Sequence, residues 1–245
     1  MFDKIDSNND TYVTAAELLV WMKFVHGRFV SEAVDKQMAM TDKNRDHTVS
    51  WEEYYNHTYS HLIDEEAFYD VPDKERYRQM MKRDERRFKQ ADKDGDLICT
   101  REEFTAFLHP EEFDYMRDIV VTETIEDIDK NGDMLVDVNE YLADMYTPEN
   151  DEPEPEWVKT ERLQFSDHRD LNKDGKLDRS EIAHWIHPHE YDHTDLEAKH
   201  LVYESDKDRD EKLTKKEILD NWNMFVGSQA TNYGEDLTRR GMMNF

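Results

Sequence analysis

Carboxylates and carboxamides recur in this 245-residue chain at a spacing suited to a hard cation. Six segments place Asp first, Asp or Asn third, Asp fifth and Glu twelfth. Ca²⁺ takes six to eight oxygens at about 2.3–2.6 Å. A twelve-residue loop supplies them from side chains at positions 1, 3, 5 and 12, from the carbonyl of position 7, and often through a water held at position 9. The donor sets are then Asp6, Asn8, Asp10, Tyr12 and Glu17; Asp42, Asn44, Asp46, Thr48 and Glu53; Asp92, Asp94, Asp96, Ile98 and Glu103; Asp129, Asn131, Asp133, Leu135 and Glu140; Asp170, Asn172, Asp174, Lys176 and Glu181; and Asp206, Asp208, Asp210, Lys212 and Glu217. In each set the fourth residue contributes its backbone carbonyl. An acidic composition alone does not produce six such recurrences.

Gly175 occupies the sharply turned sixth position of the fifth loop, which also carries Asp178 at position 9. The other loops have Thr11, His47, Leu97, Met134 and Glu211 at position 6. A non-Gly residue held at positive φ costs roughly 1 kcal/mol or more, so the fifth loop is expected to bind most tightly.

The flanks point to helices. An apolar or aromatic residue follows each closing Glu, and in five loops another comes four residues later, as in Leu18 and Met22, Phe104 and Leu108, or Ile182 and Ile186. That spacing marks one helix face. Position 8 holds Val13, Val49, Cys99, Val136, Leu177 and Leu213, residues able to form a short β-bridge between neighbouring loops. The fold class is therefore all-α, six EF-hands arranged as three paired lobes. Loop starts are 36, 50, 37, 41 and 36 residues apart, and the short intervals predict pairs 1–2, 3–4 and 5–6, with Val13 bridging Val49. The domains expected are residues 1–63, with a truncated first hand preceded only by Met1–Ile5, then 75–146 and 157–226. An acidic, proline-rich linker spans 147–156 and a tail spans 227–245. His109-Pro110 and His187-Pro188 repeat 78 residues apart and are read as turns that open helices.

With 59 acidic against 32 basic residues the net charge is −27. That excludes a general nucleic-acid or other polyanion binder and makes the surface a sink for cations. No apolar run approaches a membrane span, and no secretory leader is present in the chain as given. The single Cys99 is a bridge hydrophobe, and the methionines beside the loops are lobe core. No zinc spacing, nucleophile elbow or phosphate-binding glycine loop occurs, so no enzyme is expected. Asn-x-Thr sequons occur at Asn9, inside a loop, and at Asn56.

Ser50–Tyr54 (SWEEY), Phe104–Tyr115 (FTAFLHPEEFDY), Asp127–Gly132 (DIDKNG), His200–Asp206 (HLVYESD) and Phe225–Thr231 (FVGSQAT) resemble the reticulocalbin and calumenin family of multiple EF-hand proteins, on its calumenin side. The resemblance implies a monomeric, low-affinity Ca²⁺-binding protein of the endoplasmic reticulum lumen and secretory pathway. Such a protein binds other secretory-pathway proteins as a chaperone-like regulator, and is N-glycosylated at the position of Asn56. The family's leader and its carboxy-terminal retention signal have no counterpart in this chain. The competing reading is a cytosolic, calmodulin-like sensor that captures target helices.

Overall fold

The computed structural model describes residues 2–60, 74–147, 154–186 and 192–234. Its elements are mostly helical. Short strands sit inside the six loops, and each loop lies between an incoming and an outgoing helix. In chain order these are α1 (Phe2–Ile5), β1 (Tyr12–Thr14), α2 (Ala15–Thr41), β2 (Val49–Ser50), α3 (Trp51–Tyr59), α4 (Lys74–Ala91), β3 (Ile98–Cys99), α5 (Arg101–Leu108), α6 (Arg117–Ile128), β4 (Val136–Asp137), α7 (Val138–Met145), α8 (Glu156–Gln164), β5 (Lys176–Leu177), α9 (Arg179–Ile186), α10 (His193–Ser205), β6 (Lys212–Thr214), α11 (Lys215–Asp220) and α12 (Trp222–Val226).

The chain divides into two units. The first, Met1–Ala33 with Glu190–Phe245, is built on an antiparallel bridge between β1 and β6 that sets Val13 opposite Leu213. Both side chains are fully buried, among Ile5, Leu18, Trp21, Met22, Leu201 and Phe225. The second unit, Val34–His189, contains two such bridges, Val49 opposite Cys99 and Val136 opposite Leu177. Edge-to-face rings of Tyr54, Phe88 and Phe107 fill the space under the first of these. Val121, Ile125, Tyr141, Phe165 and Ile182 fill the space under the other.

These registers correct the pairing expected from interval length. Loop 1 bridges loop 6, loop 2 bridges loop 3, and loop 4 bridges loop 5. The interval between loops 1 and 2 is short, but it is spent on one unbroken helix, α2, of 27 residues. At 1.5 Å per residue a helix of that length rises about 40 Å. Loops 3 and 4 are linked sideways instead. Arg83, Arg86 and Arg87 on α4 pair with Asp127, Glu126 and Glu123 on α6, which joins the two incoming helices without joining the strands.

The first residues of the expected tail are packed. Ala230 and Thr231 are buried, and the Trp21 Nε1–H donates to the Ala230 carbonyl at 2.9 Å. Small residues in this stretch let a 3₁₀ turn, Gln229–Thr231, close over α2. Pro110 opens a 3₁₀ turn, Pro110–Glu112, and α6 itself begins only at Arg117. His187-Pro188, most of the acidic linker (148–153) and residues 235–245 lie outside the described residues.

Candidate metal centres

Each loop is organised by its own carboxylates in the same way. The position-1 Asp accepts the N–H of position 6: Thr11 to Asp6, His47 to Asp42, Leu97 to Asp92, Met134 to Asp129, Gly175 to Asp170 and Glu211 to Asp206, all between 2.8 and 3.0 Å. The position-5 Asp accepts the N–H of position 7, as Lys176 gives to Asp174 at 2.9 Å and Lys212 to Asp210 at 2.9 Å. These bonds fold each loop back onto its own position-1 and position-5 carboxylates.

The closing Glu works across the ring. One carboxylate oxygen accepts from position 2 and the other from position 9, as in Leu171 and Asp178 to Glu181, both at 2.9 Å, and Lys207 and Thr214 to Glu217, at 3.0 and 2.9 Å. Position 9 is Thr14, Ser50, Thr100, Asp137, Asp178 or Thr214, and it also serves the outgoing helix. In α3, α5, α7 and α11 it is the N-cap of a capping box whose third residue is the closing Glu. This role is legible as Ser/Thr/Asp-x-x-Glu, a pattern that a search for ion ligands alone passes over.

The electrostatics follow from this frame. Burial raises the closing carboxyls of Glu17, Glu53 and Glu103, but hydrogen bonds from the loop outweigh it and leave them below the ordinary glutamate range. For Glu217 the Thr214 N–H and hydroxyl lead the lowering. Loops 3 and 6, with Asp at positions 1, 3 and 5, bring three carboxylates together. Oxygens of Asp92, Asp94 and Asp96 lie within 4.8 Å of one another, as do those of Asp206, Asp208 and Asp210. Desolvation and the charges of Asp210 and Glu217 push the Asp208 carboxyl up. The Asp96 N–H lowers Asp94, yet desolvation and the Asp96 charge leave it raised. In loop 4 a cation is already in place, because the Lys176 ammonium of loop 5 sits 2.5 Å from Asp133 and lowers that carboxyl. Clustered hard oxygens that lack a neutralising partner are the donor chemistry of a Ca²⁺ site.

Backbone strain is distributed differently from the sequence expectation. Thr11, His47, Leu97, Met134 and Glu211 all adopt φ between 62° and 73° at position 6, beside Gly175 at 88°. Position 4 is left-handed as well: Asn9, Arg45, Gly95, Gly132, Lys173 and Arg209 have φ from 59° to 78°. Loops 3, 4 and 5 therefore each relieve one of two strained positions with glycine, and the fifth is not alone.

The family model for an EF-hand domain pair matches residues 1–59, a stretch whose two loops bridge other partners in the structure. Reticulocalbin-3 of Rattus norvegicus is 56% identical over 239 residues, covering 97% of this chain and 73% of that protein. Reticulocalbin-3 of Homo sapiens and of Mus musculus are each 55% identical over the same length and coverage. The chain belongs to the reticulocalbin and calumenin family. These relatives are reticulocalbins, so they establish the family and not the calumenin side of it. Its EF-hand domains bind Ca²⁺. Among the described residues of this family member, no helix is long and apolar enough to cross a membrane.

Proposed function

We propose that the chain carries six EF-hands in three pairs, 1–6, 2–3 and 4–5, with the thirty donors set out under Sequence analysis as Ca²⁺ ligands. It acts as a low-affinity Ca²⁺ binder of the endoplasmic reticulum lumen and secretory pathway, and regulates other proteins there in a chaperone-like, non-catalytic way. The observation that carries the reading is the hydrogen-bond frame shared by all six loops, down to the closing Glu that bridges positions 2 and 9. Strained non-glycine backbone, at two positions in loops 1, 2 and 6 and at one in loops 3, 4 and 5, supports low affinity, in the range of about 10⁻⁴ to 10⁻³ M that suits a Ca²⁺-rich compartment.

Partner binding is supported in the first unit. Phe2, Ile5, Ile218, Leu219, Trp222 and Phe225 line a cleft of about 440 Å³, where Leu219 and Trp222 are more than half exposed. Asn56, exposed on α3, is accessible to a glycan. Calorimetric titration with Ca²⁺ tests the central claim. Six equivalents in that affinity range, with helix content rising by circular dichroism, are expected. Submicromolar affinity would instead favour the cytosolic sensor, and fewer than four equivalents would refute the six-site assignment.

A further inference from the structure

We infer that Asn131-Gly132, in the fourth loop, is a spontaneous deamidation site guarded by the folded, metal-bound loop. This inference rests on the assignment of that loop as a Ca²⁺ site. The pair is the chain's sole Asn-Gly sequence. Glycine offers no Cβ to shield its amide nitrogen, and at Gly132 an added Cβ would meet nothing within 4 Å. Asn131 is exposed.

The reaction needs only water. The Gly132 amide nitrogen attacks the Asn131 side-chain carbonyl carbon and the C–N bond to ammonia breaks, leaving a five-membered succinimide. Hydrolysis at either carbonyl then gives aspartate or isoaspartate. The sum is carboxamide plus water to carboxylate plus ammonium.

In the folded loop both reacting groups are engaged elsewhere. The Gly132 N–H donates to Asp129 Oδ1 at 2.7 Å, and Asn131 Oδ1 accepts the Asp133 N–H at 2.9 Å. Asp129 and Asp133 are the carboxylates that Ca²⁺ would draw together, so the ion strengthens the lock; without it only the partly exposed Lys176 ammonium on Asp133 offsets their repulsion. Conversion of Asn131 to aspartate would give loop 4 the three-carboxylate set found in Asp92, Asp94 and Asp96. Isoaspartate would instead add a methylene to the backbone between positions 3 and 4 and break the register of the frame. Residue 131 is thus a slow, irreversible recorder of time spent without Ca²⁺.

The test incubates the full chain at pH 8 and 37 °C with millimolar Ca²⁺ or with chelator, and follows residue 131 by peptide mass spectrometry. A one-mass-unit gain is expected in chelator, at least severalfold faster than in Ca²⁺, with Asn44 and Asn172 unchanged. Glu140→Gln should deamidate at the chelator rate even in Ca²⁺. Gly132→Lys should stop the reaction; a side chain is strained at the φ of 78° found there, but Lys173 holds the same backbone region in loop 5 at 62°. No gain at 131 in chelator, or a gain that survives Gly132→Lys, overturns the site. Equal gain in both conditions overturns the guarding role, and a parallel titration of Glu140→Gln shows whether the loop binds Ca²⁺ at all.

Discussion

Val13→Ala should loosen loop 6 and leave loop 2 untouched. Val13 and Leu213 are directly opposed in the β1–β6 ladder and both are completely buried, whereas Val49 bridges Cys99 in the other unit. Truncating Val to Ala removes two methyl carbons, about 1.6 kcal/mol at ~0.8 kcal/mol per buried carbon. The cavity left behind adds to that, for roughly 2 kcal/mol in all. Leu213→Ala should cost about 2–5 kcal/mol. Residues in contact couple by roughly 0.5–3 kcal/mol in a double-mutant cycle, while separated ones add to within about 0.5 kcal/mol. Hydrogen–deuterium exchange in Ca²⁺, read by peptide, resolves the loops separately. Val13→Ala should speed exchange of residues 6–17 and 206–217 together by about 30-fold, since each 1.4 kcal/mol is tenfold, with residues 42–53 unchanged. Val13→Ala combined with Leu213→Ala should be non-additive, and Val13→Ala combined with Val49→Ala should be additive. If Val13 couples to Val49 and adds independently to Leu213, the pairing of loop 1 with loop 6 is wrong.

Four further outcomes are expected. Glu181→Gln should abolish the tightest Ca²⁺ step in calorimetry, because loop 5 joins one glycine to Asp178 and has no lysine on its own carboxylates; loss of only a weak step would reject this ranking. Lys176→Gln should tighten loop 4 by a few-fold at most, since the ammonium it removes sits on Asp133 but is partly exposed and screened; unchanged affinity there would show that the lysine swings clear. Arg87→Leu should cost about 2 kcal/mol in urea unfolding, because it leaves Glu123, buried between α4 and α6, with only its longer 3.8 Å ion pair to Arg83, and a loss below about 1 kcal/mol would mean Arg83 closes in to replace it. Trp21→Phe should cost about 1–3 kcal/mol by orphaning the buried Ala230 carbonyl, with faster exchange at residues 228–234; no change there would mean the 3₁₀ turn is held by other contacts.

What could be read from the chain divides by the range of the interaction. A metal loop is a local object. Asp170, Asn172, Asp174 and Glu181 lie within twelve residues, and their spacing is set by the reach of one backbone around one ion, so every loop was legible. Even there, residues of the loops do more than ligate. Thr100 and Asp137 cap helices through the same Glu103 and Glu140 that close the loops. Gly95 and Gly132 relieve a left-handed position 4 that a rule about position 6 does not mention. Pairing was not legible, because Val13, Val49, Cys99 and Leu213 are equally suited to a bridge and composition cannot choose among them. The choice is made by what fills the intervals. The first interval is taken up by the unbroken α2, and the arginines of α4 commit its side to α6. The clue lay in the 27 residues after Thr14, which contain no proline and only Gly27. Interval length guides pairing only where the interval can fold back on itself, and α2 is helix throughout.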